Sequence, residues 1–355
     1  MLKGVGINPS SVSRVCVRAT NWIGDAVMSL PAIRAIHGTF AHAELVIVAR
    51  PSVAGLYTRE SAVSRVISYP GGLSLAQKRH FAGRLREERF DLAILLQNAF
   101  DAALIAWMAR IPQRIGYRRD ARGVLLTHPI PVPETGEIPR HERFYYLELL
   151  RRAGLIPQFP ESCEIRLDGI AAAREAGRSH LSSFGFETAI GISPGAAYGN
   201  AKRWLPERFA EVARSFAPMP VLLFGSPAER PLCESIAASL RADQPVRNLA
   251  GETALHEFID LAAACRLFLT NDSGASHIAS AAGTPTVVVF GATDDATTGP
   301  TGPLARVVRE HVECCPCLLR ECPIDHRCMT KVTAGHVISA AHSLVPISWT
   351  HEVRS

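Results

Sequence analysis

Leu269-Thr-Asn-Asp-Ser-Gly-Ala-Ser-His-Ile-Ala-Ser-Ala-Ala-Gly-Thr-Pro-Thr-Val-Val-Val-Phe-Gly291 decides the fold. An apolar run, Leu267 to Leu269, leads into a polar turn, Asn271 to Gly274. A small-residue helix carrying His277 follows, and a second apolar strand begins after Pro285. This is strand, turn, helix, strand, with the polar turn opening the helix. A helix N-terminus presents free backbone N–H groups and the positive end of its dipole, so such a turn is an anion site. The first half of the chain has its own strand-turn-helix with an acid at the turn, Asn21-Trp-Ile-Gly-Asp25. Two half-sites on two α/β units predict a ligand cleft between two domains.

The 355 residues exceed one ordinary core and suit two domains. Hydrophobic residues make up 47%, enough to pack an interior throughout. The 26 Gly and 24 Pro are scattered between elements, which excludes a low-complexity chain. The net charge of +5 is mildly basic, and Arg114, Arg118, Arg119 and Arg122 form a cluster suited to phosphates or anionic head groups. No nucleic-acid-binding signature accompanies that charge, so nucleic acid is not expected as a partner. No apolar run is long enough to span a bilayer, and Met1 to Ser13 has no apolar signal core. These features predict a soluble cytoplasmic protein, with contact at a membrane surface left open.

Strand-length apolar runs alternate with helix-period segments: Val15 to Arg18, Leu45 to Ala49, Arg65 to Tyr69, Leu92 to Leu96, Ile190 to Ser193, Val221 to Phe224, Leu267 to Thr270 and Thr286 to Phe290. Most lack polar alternation, as parallel strands covered on both faces do. Helices are predicted over Asp25 to His37 (with Pro31 as an irregularity), Arg143 to Ala153, Leu205 to Phe216, Pro227 to Leu240 and Ala334 to Leu344. The expected class is α/β, with two doubly wound units and ligands beyond the carboxyl ends of the strands. The expected limits are 1–165 and 166–335, with a helix and tail at 336–355 that pack back on the first domain. A third loop, Ser193-Pro-Gly-Ala-Ala-Tyr-Gly-Asn-Ala-Lys-Arg-Trp204, also follows a strand and precedes a helix.

Val17 to Ala32, Ser193 to Trp204 and Thr270 to His277 together resemble the loops of the family-9 glycosyltransferases, and within them the lipopolysaccharide heptosyltransferases. The tract Cys314-Cys-Pro-Cys-Leu-Leu-Arg-Glu-Cys-Pro-Ile-Asp-His-Arg-Cys-Met329 is similar to one found in many of these enzymes. The resemblance implies a GT-B fold, two Rossmann-like domains facing across a cleft. It implies an ADP-heptose donor on the second domain and a heptosylated Kdo–lipid A inner-core acceptor on the first. It further implies inversion at the anomeric carbon with no cofactor and no catalytic metal. The rival readings are a heptosyltransferase with another acceptor (a protein included), a nucleotide-sugar epimerase of GT-B fold, and a nucleotide-sugar-binding scaffold.

Inverting transfer needs a base for the acceptor hydroxyl, and Asp25 is the candidate. A free Asp, with a pKa of about 3.9, is ionised but weakly basic, and a cleft raises that value. The alternative is an acid that only stabilises the first turn of its helix. Charge growing on the leaving diphosphate calls for a cation and backbone donors, which Lys202 and the amides of Ser273 and Gly274 offer. Asp272 either accepts hydroxyls of the donor heptose, as the resemblance implies, or caps its helix. His277 lies on the same helix face as Ser273 and Gly274; its alternative is a packed core histidine. Glu229 follows a strand and its turn, where a carboxylate holds ribose hydroxyls or serves as a first-turn acid. The resemblance also implies that Ser193 and Ala196 line the phosphate loop. Arg118 and Arg119 suit an acceptor bearing carboxylates and phosphates, against a solvated basic face. Cys314, Cys317, Cys322 and Cys328 offer four sulfurs to a structural zinc, with His326 in reserve; reduced thiols packed in a loop are the alternative. The dispersed Cys16 and Cys265 read as buried thiols.

Overall fold

The computed structural model describes residues 6–345. The chain divides into two compact units, Met1–Asp168 and Gly169–Ser355. The first is built on a parallel six-stranded sheet: β1 (Arg14–Arg18), β2 (Glu44–Ala49), β3 (Arg65–Ser68), β4 (Leu92–Leu95), β5 (Gln113–Tyr117) and β6 (His128–Ile130), in the order β3-β2-β1-β4-β5-β6. The second repeats the plan with β7 (Ile190–Ser193), β8 (Val221–Leu223), β9 (Val246–Asn248), β10 (Leu267–Asn271), β11 (Thr286–Val289) and β12 (Ala305–Val308), in the order β12-β11-β10-β7-β8-β9. In each unit the first strand lies centrally, beside the fourth. This is the Rossmann order, and its switch point falls between β1 and β4 in one unit and between β7 and β10 in the other.

Every residue of β4, β7, β8, β10 and β11 is buried, which explains why these strands read as unbroken apolar runs. β5, β6, β9 and β12 escape that reading. β6, β9 and β12 lie at sheet edges, where one side is free to be polar, and β6 carries Pro129. β5 is an inner strand, but Gln113 and Arg114 break its apolar run.

The expected helix over 25–37 is two helices, Ile23–Met28 and Leu30–Thr39, broken at Ser29. Pro31 enters in the first turn of the second helix, where it has no N–H to give up. Ser29 Oγ donates to Ala26 O at 2.8 Å, and Ser29 N donates to Asp25 O at 2.9 Å. The break leaves Asp25 on a one-and-a-half-turn helix directly after β1 and Asn21.

The division after Asp168 has a physical cause. Asp168 accepts from Ser61 Oγ at 2.6 Å and from Arg34 Nη2 at 3.3 Å, and its own amide donates to Glu60 at 3.1 Å. Glu60 is buried and pairs with Arg34 at 2.7 Å. Residues 166–168 are therefore stitched into the first unit, and Gly169, at φ +68°, turns the chain into the helix Ile170–Ser183. The expectation for the last helix is corrected: Val337 and Ala341 of Ala334–Leu344 are buried in the core of the second unit with Trp204, Phe209, Val287 and Met329. The tail 346–355 lies outside the described residues. Among the described residues no helix is long and apolar enough to cross a membrane.

The helix Ile170–Ser183 packs closely on Leu255–Ala264 because Gly177 has no Cβ; one placed there would lie 2.0 Å from Asp260 O and 2.7 Å from Ala264 Cβ. Gly to Ala inside a helix ordinarily stabilises by roughly 0.5–1 kcal/mol. Gly177→Ala is predicted to do the opposite, by about 1–3 kcal/mol from overpacking, read as a lowered urea midpoint.

Candidate active site

The first unit's half-site is built at its switch point. β1 ends at Arg18, whose buried guanidinium donates to Ala19 O at 3.0 Å and Val48 O at 3.1 Å, reaches Asn21 Oδ1 at 3.3 Å, and lies 4.9 Å from the ring centroid of Tyr69. Burial lowers its pKa to about 10, still cationic at neutral pH. These bonds fix residues 19–22 and with them the start of Ile23–Met28, the helix that carries Asp25 in its first turn. Tyr57 lies within reach of the Asp25 charge: burial raises it to about 12, and Asp25 acts in the same direction.

The basic cluster divides into two kinds of residue. Arg122 is fully buried; its Nε donates to Tyr117 O at 2.9 Å, one Nη to Gln97 O and the other to Asn98 Oδ1 at 2.8 Å. Arg114 Nε donates to Leu125 O at 2.8 Å, and its Nη1 to Ile111 O. Both hold backbone in place, Arg122 buried and Arg114 half-buried, so their guanidinium groups are already engaged within the unit. Arg118 and Arg119 are exposed. Arg119 bonds to Tyr145 and stands 3.4 Å from Asp120.

In the second unit the ends of β7 and β10 are locked to each other. Thr270 Oγ1 donates to Ser193 O at 2.9 Å. The Asn271 carboxamide, fully buried, donates to Pro194 O at 2.6 Å and accepts from Trp204 N at 3.0 Å. One side chain thus ties the turn after β10 to both ends of the loop after β7. Inside that loop, Lys202 Nζ lies 2.6 Å from Asp272 Oδ2, with side chains 13% and 5% exposed, so the pair is shielded from water. The Thr293 hydroxyl donates to the same carboxylate oxygen. Lys202 also lies 4.8 Å above the Tyr198 ring, which adds a cation–π contact. The expected division, lysine to phosphate and aspartate to sugar, therefore starts from a state in which the two charges satisfy each other.

The other expected residues gather around this pair. Ser273 is the N-cap of the helix Gly274–Ala281, its Oγ 3.2 Å from Thr270 Oγ1. Its side chain makes no cap bond to the helix. The first-turn amides therefore project from the end of β10 toward whatever anion arrives there. His277 is buried on that helix, as is Ala196 beyond β7. Glu229 does two things. Its Oε2 accepts from Ser226 N at 2.8 Å and Ser226 Oγ at 2.9 Å, which is a capping box. Its Oε1 lies 3.9 Å from Arg203 Nη2 and occupies the space a Cβ on Gly195 would need, 1.9 Å away. Gly195 is thus required for the carboxylate to reach the loop after β7.

The cysteine tract is a buttress for the lysine loop. Tyr198 OH donates to Leu318 O at 2.8 Å, Ala201 N to Arg320 O at 3.0 Å, and Cys322 N to Asn200 Oδ1 at 3.3 Å. His326 Nε2 meets Ala201 O at 3.1 Å. A Cβ on Gly199 would strike Arg320 O at 2.1 Å. Cys314, Cys317, Cys322 and Cys328 line a cavity of about 60 Å³, and Cys315 bonds to Cys328 as thiol to thiol. All five are free, and among the described residues no group of three or more His, Cys, Asp or Glu is disposed to hold a metal ion. The four sulfurs border this small cavity, an arrangement that matches the alternative of reduced thiols packed in a loop.

The model of glycosyltransferase family 9 (heptosyltransferase) matches residues 78–327. The chain belongs to that family. It is 32% identical to lipopolysaccharide heptosyltransferase 2 of Escherichia coli over 307 residues, covering 83% of this chain and 88% of the relative. It is likewise 32% identical to the enzyme of that name from Salmonella typhimurium over 310 residues, with the same coverage. The solved structure of E. coli ADP-heptose lipopolysaccharide heptosyltransferase II superposes with a TM-score of 0.80 at 29% identity, over 93% of this chain and 98% of that one. The protein is a glycosyltransferase, and its paired Rossmann-like units are those of the GT-B fold.

Asn271, Tyr198 and Thr293 organise this family-9 site, and reading the sequence alone missed their roles. The signal for Asn271 was present, a polar side chain ending an apolar strand between Thr270 and Asp272. Thr293 had none, because its partner is 21 residues away.

Removing the ammonium should leave a buried carboxylate held by Thr293 alone. Lys202→Met is predicted to lower stability by about 3 kcal/mol, and adding Asp272→Asn to recover most of that loss, both measured by urea unfolding.

Proposed function

We propose that this chain is an inverting glycosyltransferase that moves heptose from ADP-L-glycero-D-manno-heptose to the heptosyl-Kdo2-lipid A inner core of lipopolysaccharide. The observation that carries the reading is the shielded Lys202–Asp272 pair at the β7/β10 switch point, in a chain related over most of its length to enzymes named lipopolysaccharide heptosyltransferase 2. A diphosphate arriving at the first turn of Gly274–Ala281 competes for the Lys202 ammonium. The charge that grows on ADP as it leaves is then met by that cation and by backbone N–H groups, without reorganisation of solvent. Asp272, released from the lysine and still bonded by Thr293, turns to the hydroxyls of the donor heptose. Glu229 serves the ribose; Ser193, Ala196, Ser273 and His277 frame the phosphates.

The acceptor hydroxyl gives its proton to Asp25 as its oxygen bonds to the anomeric carbon. The bond from that carbon to the phosphate oxygen breaks, and its electron pair leaves with ADP. The displacement inverts the centre. No cofactor enters this scheme. Arg118 and Arg119, the exposed cations of their cluster, receive the carboxylates and phosphates of a lipid-linked acceptor, and on this reading the enzyme works at the cytoplasmic face of the inner membrane.

Incubation with ADP-heptose and heptosylated Kdo2-lipid A is predicted to give a product heavier by one heptose in mass spectrometry. Release of an epimerised free sugar, or binding without turnover, would refute the proposal. Asp25→Ala should abolish transfer, a loss of at least about 10²-fold, while ADP affinity measured by calorimetry stays near that of the parent.

A further inference from the structure

The helix Ile23–Met28, which carries Asp25, packs against Glu142–Arg152, whose first residue is a second carboxylate. Glu142 is half-buried, and Asp25 is among the charges that act on it. The groups facing Glu142 are Asp25, Arg119 from the segment after β5, Tyr117 of β5, and Tyr146 on its own helix. Arg119 is held by Tyr145, Tyr145 accepts from Asn98 Nδ2 at 2.8 Å, and Asn98 accepts from buried Arg122 at 2.8 Å. Tyr117 OH adds a bond to Tyr145 O at 2.7 Å. A hydrogen-bonded chain thus runs from buried Arg122 through Asn98 and Tyr145 to Arg119, whose charge acts on Glu142, and the transfer scheme leaves Glu142 without a role.

We propose that Glu142 is a positioning residue for the reaction, a like-charged neighbour that raises the proton affinity of Asp25. The proposal rests on the reading of Asp25 as the base. An isolated aspartate is a poor acceptor for a hydroxyl proton; a second negative charge beside it makes protonation more favourable. Burial, reinforced by Asp25 and opposed by Arg119, pushes Glu142 up to about 7. Below that pH Glu142 is neutral and its effect on Asp25 is absent. Above it both carboxylates are ionised and the base is at its strongest. The proton that Asp25 takes from the acceptor returns to water when the product leaves.

The test is the pH dependence of kcat and kcat/KM for the full chain. The parent should show an acidic limb near pH 7. In Glu142→Gln that limb near neutrality should be lost, and the plateau should drop roughly three- to ten-fold. Glu142→Asp, which keeps the charge, should restore the limb. Arg119→Gln, which removes the opposing cation, should move the limb upward with Glu142 in place, and this arm remains decisive if Glu142→Gln does not fold. A parent without a limb near neutrality, or a Glu142→Gln variant that keeps one, overturns the proposal. Asp25→Asn separates the two claims. If Asp25→Asn is inactive and Glu142→Gln matches the parent, only the role of Glu142 falls. If Asp25→Asn still turns over, the base assignment falls, and this inference with it.

Discussion

The second unit's site depends on one buried amide. Asn271 uses both ends of its carboxamide, donating to Pro194 O and accepting from Trp204 N. Losing either partner leaves a buried polar group unsatisfied, at about 1–3 kcal/mol each. That penalty fixes the loop from Ser193 to Trp204 against the end of β10, and it makes a shielded Lys202–Asp272 contact geometrically available. The Trp204 indole extends the lock, packing edge-on to Phe209 with 5.0 Å between centroids and donating to Val332 O at 2.9 Å. The lysine is thus held by the core itself and not by a free loop.

The pairing of Lys202 with Asp272 is shielded by low exposure and supported by the Thr293 hydroxyl. A pair this shielded gains less than its Coulomb energy suggests, because both ions have given up water. What the arrangement secures is order. The cation waits in one place, bonded, and the carboxylate is held at the same spot by Thr293. In the proposed transfer, a ligand with two phosphates and a polyhydroxylated sugar offers each of them a new partner, so the exchange leaves neither charge bare.

Much of this architecture was legible before any coordinates. β4, β7, β8, β10 and β11 read correctly because both faces of each sheet are covered there, and β1, β2 and the edge strand β3 read from the apolar residues at their centres. β6, β9 and β12 did not, because an edge tolerates Pro129, Arg247 or Arg306 that an inner strand rejects. Asp272 stands out because a charge at the end of an apolar strand is conspicuous, and Asp25 and Lys202 because they sit in the strand-to-helix connections after β1 and β7. Their partners do not, because pairing is a property of the folded chain. Glu142 looks like any first-turn acid, and only the packing of its helix beside Asp25 distinguishes it. Arg114 and Arg122 looked like Arg118 and Arg119, yet their guanidinium groups bond to backbone carbonyls of their own unit.

The clamp between residues 198–201 and the cysteine tract has a consequence for how the enzyme comes into being. The ribosome finishes the lysine loop more than a hundred residues before it makes Leu318, Arg320 and His326, and the helix Ala334–Leu344 that seals the same core comes later still. Until then the nascent second unit lacks its backbone braces at Tyr198 and Ala201, and Trp204 has no Val332 to bond. The Lys202–Asp272 half-site is therefore among the last parts of the molecule to mature during synthesis, and a chain truncated before the tract carries every charged motif of the enzyme without the frame that holds its lysine.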